Sequence, residues 1–412
     1  MSASRPFLGW RIVGVAFMAQ LLSLGLSFSA FGVFVVPLSE EFGASRAELG
    51  VGLAIVFLIM GVMGPPIGHW LDRGLVKTLM VTGSLLAGLG LMALSRATTL
   101  WQLGLIFCGT VGVGSALFGA TPSMSLVANW FVRQRGLAMG IAVAGATVAA
   151  LAVPPLAAYL IDAMGWRSAL LILGGGSLLI GLPVFTTQTI ARPELVGQAP
   201  DGDPVDEIQA ATAPPAEIET GALVRDPRLW TLAVGFSLIF TSPILMTTAL
   251  IPFGEDLGFS RLDAAWFFTA MGPFSLFGKV AFGAVADRMA LRIAMWIVVL
   301  GNFCVWLLLY GDPDYTLFLG IGAFYGLAIG AVGPLNGLVM ARCFGREAFG
   351  RASGLGGLAG LPLIALAPIV AGHLYDTTGS YHVVFLLQSG LLLLGGALVT
   401  CVRIPGAGQE LR

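Results

Sequence analysis

Gly68-His69-Trp70-Leu71-Asp72-Arg73-Gly74 returns 215 residues later as Gly283-Ala284-Val285-Ala286-Asp287-Arg288. The shared element is Gly-x-x-x-Asp-Arg. A glycine four residues before an aspartate lets one helix approach another closely at a helix end. The aspartate can then cap the following helix or pair with an arginine across an interface. The element has two readings, an ordinary soluble loop or a gate whose contacts form and break. Because both copies keep the spacing, a gate is expected, built from Gly68, Asp72, Arg73, Gly283, Asp287 and Arg288, with Arg133 and Arg135 at the same end.

Three further matches fall at offsets of 213 to 215 residues: Glu40 to Arg46 with Glu255 to Arg261, Phe131-Val132-Arg133 with Phe344-Gly345-Arg346, and Pro154 to Gly165 with Pro368 to Gly379. Several matches in register indicate an internal duplication. Around these motifs the chain is 57% hydrophobic and 10% charged over 412 residues, with a mean hydropathy of +0.91. That composition cannot cover a water-facing surface, so the solvent is lipid. Six apolar runs lie between Ile12 and Thr186, and six more between Trp230 and Val402. With flanking residues each reaches the roughly 17 to 25 residues that cross a ~30 Å hydrocarbon core as a helix. A β-barrel would show alternating segments of about ten residues instead.

The expected fold is therefore all-α and polytopic, with twelve transmembrane helices in two pseudo-symmetric six-helix halves around a central cavity. The halves are read as residues 1–187 and 229–412. The polar stretch between them, 188–228, holds Pro193, Pro200, Pro204, Pro214 and Pro215 with eight carboxylates, and reads as a flexible cytoplasmic linker or one carrying a regulatory amphipathic helix. The first run is too long for a signal-peptide core and no small-residue cleavage site ends it, so the first helix is expected to be retained.

Charge sets the orientation. Of 21 Lys and Arg, sixteen, from Arg5 and Arg11 to Arg403 and Arg412, share one side when both termini are cytoplasmic. Arg46, Arg96, Arg167 and Arg261 take the other side, a strong positive-inside bias. A multi-pass protein of the cell inner membrane is expected.

Lys279 remains inside an apolar run. It precedes Asp287 by eight residues, about 12 Å of helix from the end. An intramembrane ammonium costs at least about 2.5 kcal/mol, so it normally faces a wet cavity. Two uses compete, binding an anionic substrate or snorkelling to the headgroups. Ser275 sits one turn away on the same face and can hydrogen-bond a carboxylate or pack against the backbone. Tyr325 and Asn336 are further polar candidates, as are Gln20, Ser115, Thr121 and Thr147, each also explicable as a helix-packing hydrogen bond. Phe28, Phe31, Phe118, Phe274 and Phe324 can line the walls. One positive point among apolar walls suits a small organic anion better than a sugar.

Enzyme chemistry is not expected. His69, His373 and His382 stand near helix ends without a carboxylate in catalytic spacing, and Cys108, Cys304, Cys343 and Cys401 are scattered. The glycine strings Gly109 to Gly119 and Gly354 to Gly360 lie in apolar runs and read as packing features.

The chain resembles the major facilitator superfamily through Gly68 to Gly74 and Gly283 to Arg288. Its monocarboxylate transporter and oxalate/formate antiporter-like branch is resembled through Gly9-Trp10-Arg11, Phe31-Gly32-Val33-Phe34 and Asn129 to Gly140. That branch carries an arginine that binds the substrate carboxylate, preceded four residues earlier in its proton-coupled animal members by an aspartate. The matching positions here are Lys279 and Ser275, both departures. Lysine keeps the charge without the bidentate fork. The resemblance implies transport of monocarboxylates such as lactate-like hydroxy acids by alternating access, with a proton carried on Lys279 or on the substrate. The animal members' lysine on helix 1 has no counterpart after Arg11, which disfavours two-carboxylate substrates. The expected partners are a small organic anion, a proton and the lipid bilayer, with no nucleic acid and no cofactor, and the chain is expected to act as a monomer. Efflux of amphipathic drugs or metabolites and organic anion exchange are the alternatives, and a ligand-binding membrane sensor is a further one.

Overall fold

The computed structural model describes residues 6–203 and 220–404, and the backbone but not the side chains of Arg46 and Ala47. Arg5, Arg412, Asp206, Glu207 and the linker positions 204–219 lie outside the described residues. Ten helical stretches among the described residues are long and apolar enough to cross a membrane: α1 (Gly9–Phe42), α2 (Glu48–Asp72), α3 (Val76–Leu94), α4 (Leu100–Trp130), α5 (Arg135–Gln188), α6 (Pro227–Asp256), α7 (Arg261–Ala286), α8 (Leu291–Tyr310), α9 (Tyr315–Thr378) and α10 (His382–Cys401). In hydrocarbon only a helix or a closed barrel satisfies its backbone, so apolar runs of this length become helices. Their outward faces stay apolar: Trp101, Leu105, Leu179, Phe277 and Ile369 are all exposed.

Local chemistry sets the ends, and the duplicated positions use it alike. Ser45 accepts from the Glu48 N–H at 3.2 Å while the Glu48 carboxylate accepts from the Ser45 N–H at 2.8 Å, a capping box at the start of α2. At the matching place before α7, Ser260 Oγ accepts from the Asp263 N–H at 3.1 Å. Gly43 and Gly258 end the preceding helices at φ +62° and +86°, backbone that glycine adopts at least cost.

The long stretches α5 and α9 are each broken by one glycine outside helical geometry, Gly165 (φ 79°, ψ 159°) and Gly345 (φ 66°, ψ 175°). The residues between Ala341 and Leu355 are helical apart from Gly345, and Arg346, Glu347 and Arg351 among them make ion pairs.

The described residues form two compact units. One holds residues up to 203 together with Arg346–Leu355, and the other holds the rest from 220 onward. In the first, α1 and α3 pack on α5. In the second, α7 packs on the opening part of α9, and α6 and α8 pack on α10. The polar stretch expected as a flexible linker is ordered over 189–203, with two short 3₁₀ turns, Pro193–Val196 and Pro200–Gly202.

Candidate functional site

Lys279 and Ser275 lie one helical turn apart on α7, and Lys279 Nζ donates to Ser275 Oγ at a long 3.5 Å. Ser275 is buried and Lys279 half-buried. What holds this part of α7 is a glycine ladder on α9, Gly322-x-x-x-Gly326-x-x-x-Gly330. A Cβ on Gly322 would lie 2.9 Å from Phe267 O, on Gly326 2.3 Å from Met271 O and 2.9 Å from Ser275 N, and on Gly330 2.6 Å from Ser275 O and 3.1 Å from Lys279 N. The two helices run parallel here, glycine against carbonyl every turn, the close approach that small residues permit in membranes. Gly278 returns the contact against Leu327.

Tyr325, one of the polar candidates in the sequence, turns its hydroxyl to Ser242 of α6 at 3.3 Å. Trp306 of α8 donates its Nε1–H to the same Ser242 Oγ at 3.0 Å. Beside it Thr241 donates to Gln388 Oε1 of α10 at 2.9 Å. Ser242, Trp306, Thr241 and Gln388 are all buried, and sequence reasoning passed over them. Together they form a polar seam inside the second unit. The ring of Tyr325 lies 6.4 Å from Phe267, so it also packs on α7.

The other predicted wall residues lie apart from this seam. Phe118 is buried against Phe185 in the first unit, and Phe28 packs against Phe57 with ring centroids 4.1 Å apart and planes tilted by 40°. Asn336 is half-buried on α9. An apolar cavity in the first unit is lined by Leu26, Phe31, Phe34, Leu91, Phe107 and Leu173 among others. Two π-helical segments, Gly25–Ser29 and Phe107–Gly112, border it. Gln20 Nε2 donates to Ser123 Oγ at 3.0 Å, a bond between α1 and α4.

The predicted gate residues divide. Asp72 accepts from the Gly350 N–H at 3.1 Å and the Arg351 N–H at 3.3 Å, and pairs with the Arg351 guanidinium. The two side chains are only 5% and 15% exposed, so this is a buried ion pair. Glycines make room for it: Cβ atoms on Gly64 and Gly68 would lie 2.8 Å from Gly354 O and 2.2 Å from Gly350 O. Gly283 is buried, Asp287 half-buried, and Arg73 and Arg288 exposed. Arg135 is buried and caps the end of α4, donating to Phe131 O at 2.7 Å and Ala128 O at 3.1 Å. Arg133 pairs with Asp203.

The family model described as Major Facilitator Superfamily matches residues 16–301 and 244–410. Monocarboxylate transporter 13 of Rattus norvegicus is 30% identical over 404 residues, covering 95% of this chain and 88% of that protein. Monocarboxylate transporter 4 of Mus musculus is 27% identical over 397 residues, covering 95% of this chain and 82% of that one. The solved structure of the proton:xylose symporter XylE bound to 6-bromo-6-deoxy-D-glucose aligns with a TM-score of 0.74 at 14% identity, over 97% of this chain and 96% of that one. The chain thus belongs to the Major Facilitator Superfamily and is a membrane transport protein, not an enzyme.

Proposed function

We propose that this chain is a secondary active transporter of small organic anions, monocarboxylates first among them, working by alternating access with a co-transported proton. The observation that carries the reading is Lys279. An ammonium kept in an apolar span costs at least about 2.5 kcal/mol, and here it stands beside a buried hydroxyl on a helix whose packing is tightly defined. Lys279 binds the carboxylate as a point charge and Ser275 offers a hydroxyl within one turn. The similar monocarboxylate transporters support the substrate class. The ten stretches, two of them broken by glycines, support twelve helices in two six-helix halves, residues 1–187 and 229–412, joined by 188–228. The positive-inside bias supports an inner-membrane protein with both termini cytoplasmic. The chain acts as a monomer, with Asp72 and Arg351 as part of its gate.

Uptake of labelled acids into proteoliposomes, with and without a pH gradient, tests this. L-Lactate uptake should rise with an inward proton gradient and be lost in Lys279→Ala. The reading fails if Lys279→Ala, shown to be folded, moves organic anions as well as the parent. The apolar cavity beside Phe31 and Phe34 favours a second reading, transport of amphipathic compounds. Uptake of uncharged amphipaths, unchanged by Lys279→Gln, would select it.

A further inference from the structure

The apolar cavity of the first unit is a chamber between α1, α3, α4 and the part of α5 that follows Gly165. Every side chain on its wall is Leu, Phe or Ala. Counted by the positions open to a water's centre, it holds about 30 Å³. One water takes up roughly 10–15 Å³ by that measure, so two or three carbon-sized atoms fit. Water itself is a poor occupant, because it needs two to four polar partners and these side chains offer none. Two of the walls give up α-helical bonding beside the chamber instead of closing on it. Leu26 and Phe107 stand in the two π-helical segments, and such segments concentrate at functional sites.

Three of the walls lead, one turn on, to a charged rim. Leu38 is followed on α1 by Glu41, Leu94 at the end of α3 is followed by Ala97, and Leu170 on α5 is preceded by Arg167. Arg167 Nη2 lies 2.7 Å from Glu41 Oε1 and donates to Ala97 O at 2.9 Å. Trp166 Nε1 donates to the other oxygen of Glu41, and its ring centroid lies 4.3 Å from Arg167 Cζ. One guanidinium nitrogen thus makes both of these rim contacts. The other, Nη1, is buried and has no hydrogen-bond partner among the described residues. A buried donor left open is destabilising, and an anion is the partner that suits it best. The Glu41 side chain is 42% exposed, so it can turn out to water.

We propose that chamber and rim bind a short-chain monocarboxylate: its carboxylate takes Arg167 in place of Glu41, and its alkyl tail fills the chamber. The sizes agree. One helical turn, about 5.4 Å, separates the level of Arg167 from that of Leu170, about the length of a three- or four-carbon acid. The guanidinium fork takes a carboxylate on both nitrogens. Each buried CH₂ should raise affinity about fourfold until the space is full. A hydroxyl on the tail loses its water with nothing in return, so L-lactate binds here more weakly than propionate. Every group of the site belongs to the first unit and Lys279 to the second, so the site does not depend on the transport reading.

Saturation-transfer NMR on the full chain in nanodiscs tests the site, with acetate, propionate, butyrate and hexanoate as ligands. The chain carries Lys279→Ala, so that an acid bound at Lys279 is not counted. Affinity should rise about fourfold per carbon to butyrate and gain nothing further at hexanoate. Arg167→Gln should weaken butyrate binding by about tenfold or more, and Leu173→Phe, which fills the chamber, several-fold. Glu41→Gln removes the competing carboxylate and should tighten binding several-fold, the reverse of what loss of a merely structural ion pair does. The site is overturned if no acid binds, or if affinity is flat from acetate to butyrate. It is also overturned if folded Arg167→Gln binds butyrate as well as its background does, or if Glu41→Gln weakens binding. Failure of L-lactate uptake by the parent, with the chain-length series and the Arg167 and Glu41 effects intact, removes the transport assignment and leaves this site standing.

Discussion

Gly326→Ala tests whether the glycine ladder of α9 sets the position of Ser275 and Lys279. The new Cβ would lie 2.3 Å from Met271 O and 2.9 Å from Ser275 N, where ordinary contact begins near 3.4 Å. The nearest atoms are backbone, which cannot rotate away, so the two helices must part by about 1 Å at this level. Overpacking of this kind costs about 1–3 kcal/mol. Alanine is the better helix former by roughly 1 kcal/mol, which offsets part of that. The net expectation is a loss of up to about 2 kcal/mol, with sterics the larger effect. The functional effect should be larger, since a 1 Å misplacement of positioning groups slows turnover by on the order of tenfold to a hundredfold. Gly320→Ala is the control: on the same helix, that Cβ meets nothing within 4 Å, so stability should hold or rise slightly. Both variants would be followed by thermal unfolding in detergent and by L-lactate uptake into proteoliposomes. Gly326→Ala matching Gly320→Ala in melting temperature and in uptake would refute the positioning argument.

Asp72→Asn removes the carboxylate that pairs with the buried Arg351 guanidinium, and should lower stability by about 3 kcal/mol and slow transport while KM holds. A KM that worsens in proportion to the rate would remove Asp72 from the gate. Ser242→Ala deprives both Trp306 Nε1 and the Tyr325 hydroxyl of a partner, for a loss of about 2–4 kcal/mol, whereas Tyr325→Phe breaks one link and should cost about 1 kcal/mol. Melting temperatures that reverse this order would show that the seam is not what ties α6 to α8 and α9. Asp226, just before α6, is held below the usual carboxylate range by its hydrogen bond to Arg228. Its stabilisation is therefore complete above about pH 4, the unfolded value, and is lost as pH falls through the lowered folded value. The melting-temperature gap between the parent and Asp226→Asn should close on acidification, and a gap that widens would contradict this sign.

The helical stretches were legible because lipid imposes one rule on every run, an apolar exterior with the backbone bonded internally. The duplication was legible because matching positions keep matching jobs, as Ser45 and Ser260 do in capping and Gly43 and Gly258 in turning. Residues 189–203 read as connecting chain because they are polar, and hydropathy reports solvent preference rather than partners. Glu194 faces Arg346 and Arg192 faces Glu347, and no local pattern in the sequence announces that pairing.

The candidate site was legible only where a residue was costly. Lys279 stands out because a charge in an apolar run demands a reason. Ser242, Trp306 and Gln388 do not, since each alone is an acceptable membrane residue and their meeting depends on which faces of α6, α8, α9 and α10 turn inward. The glycines were read as permissive, yet their contacts govern where charges go. Asp72 reaches the Gly350 and Arg351 amides because Gly68 lets α2 lie against that segment, and a Cβ there would sit 2.2 Å from Gly350 O. The ladder at Gly326 and Gly330 does the same for the backbone under Ser275 and Lys279. Electrostatic attraction at 4 Å is worth only about 1 kcal/mol in water and grows as water is excluded. The strength of Asp72–Arg351 is therefore a consequence of glycine packing, and glycine substitutions beside the charged residues should disturb them as surely as changing the charges themselves.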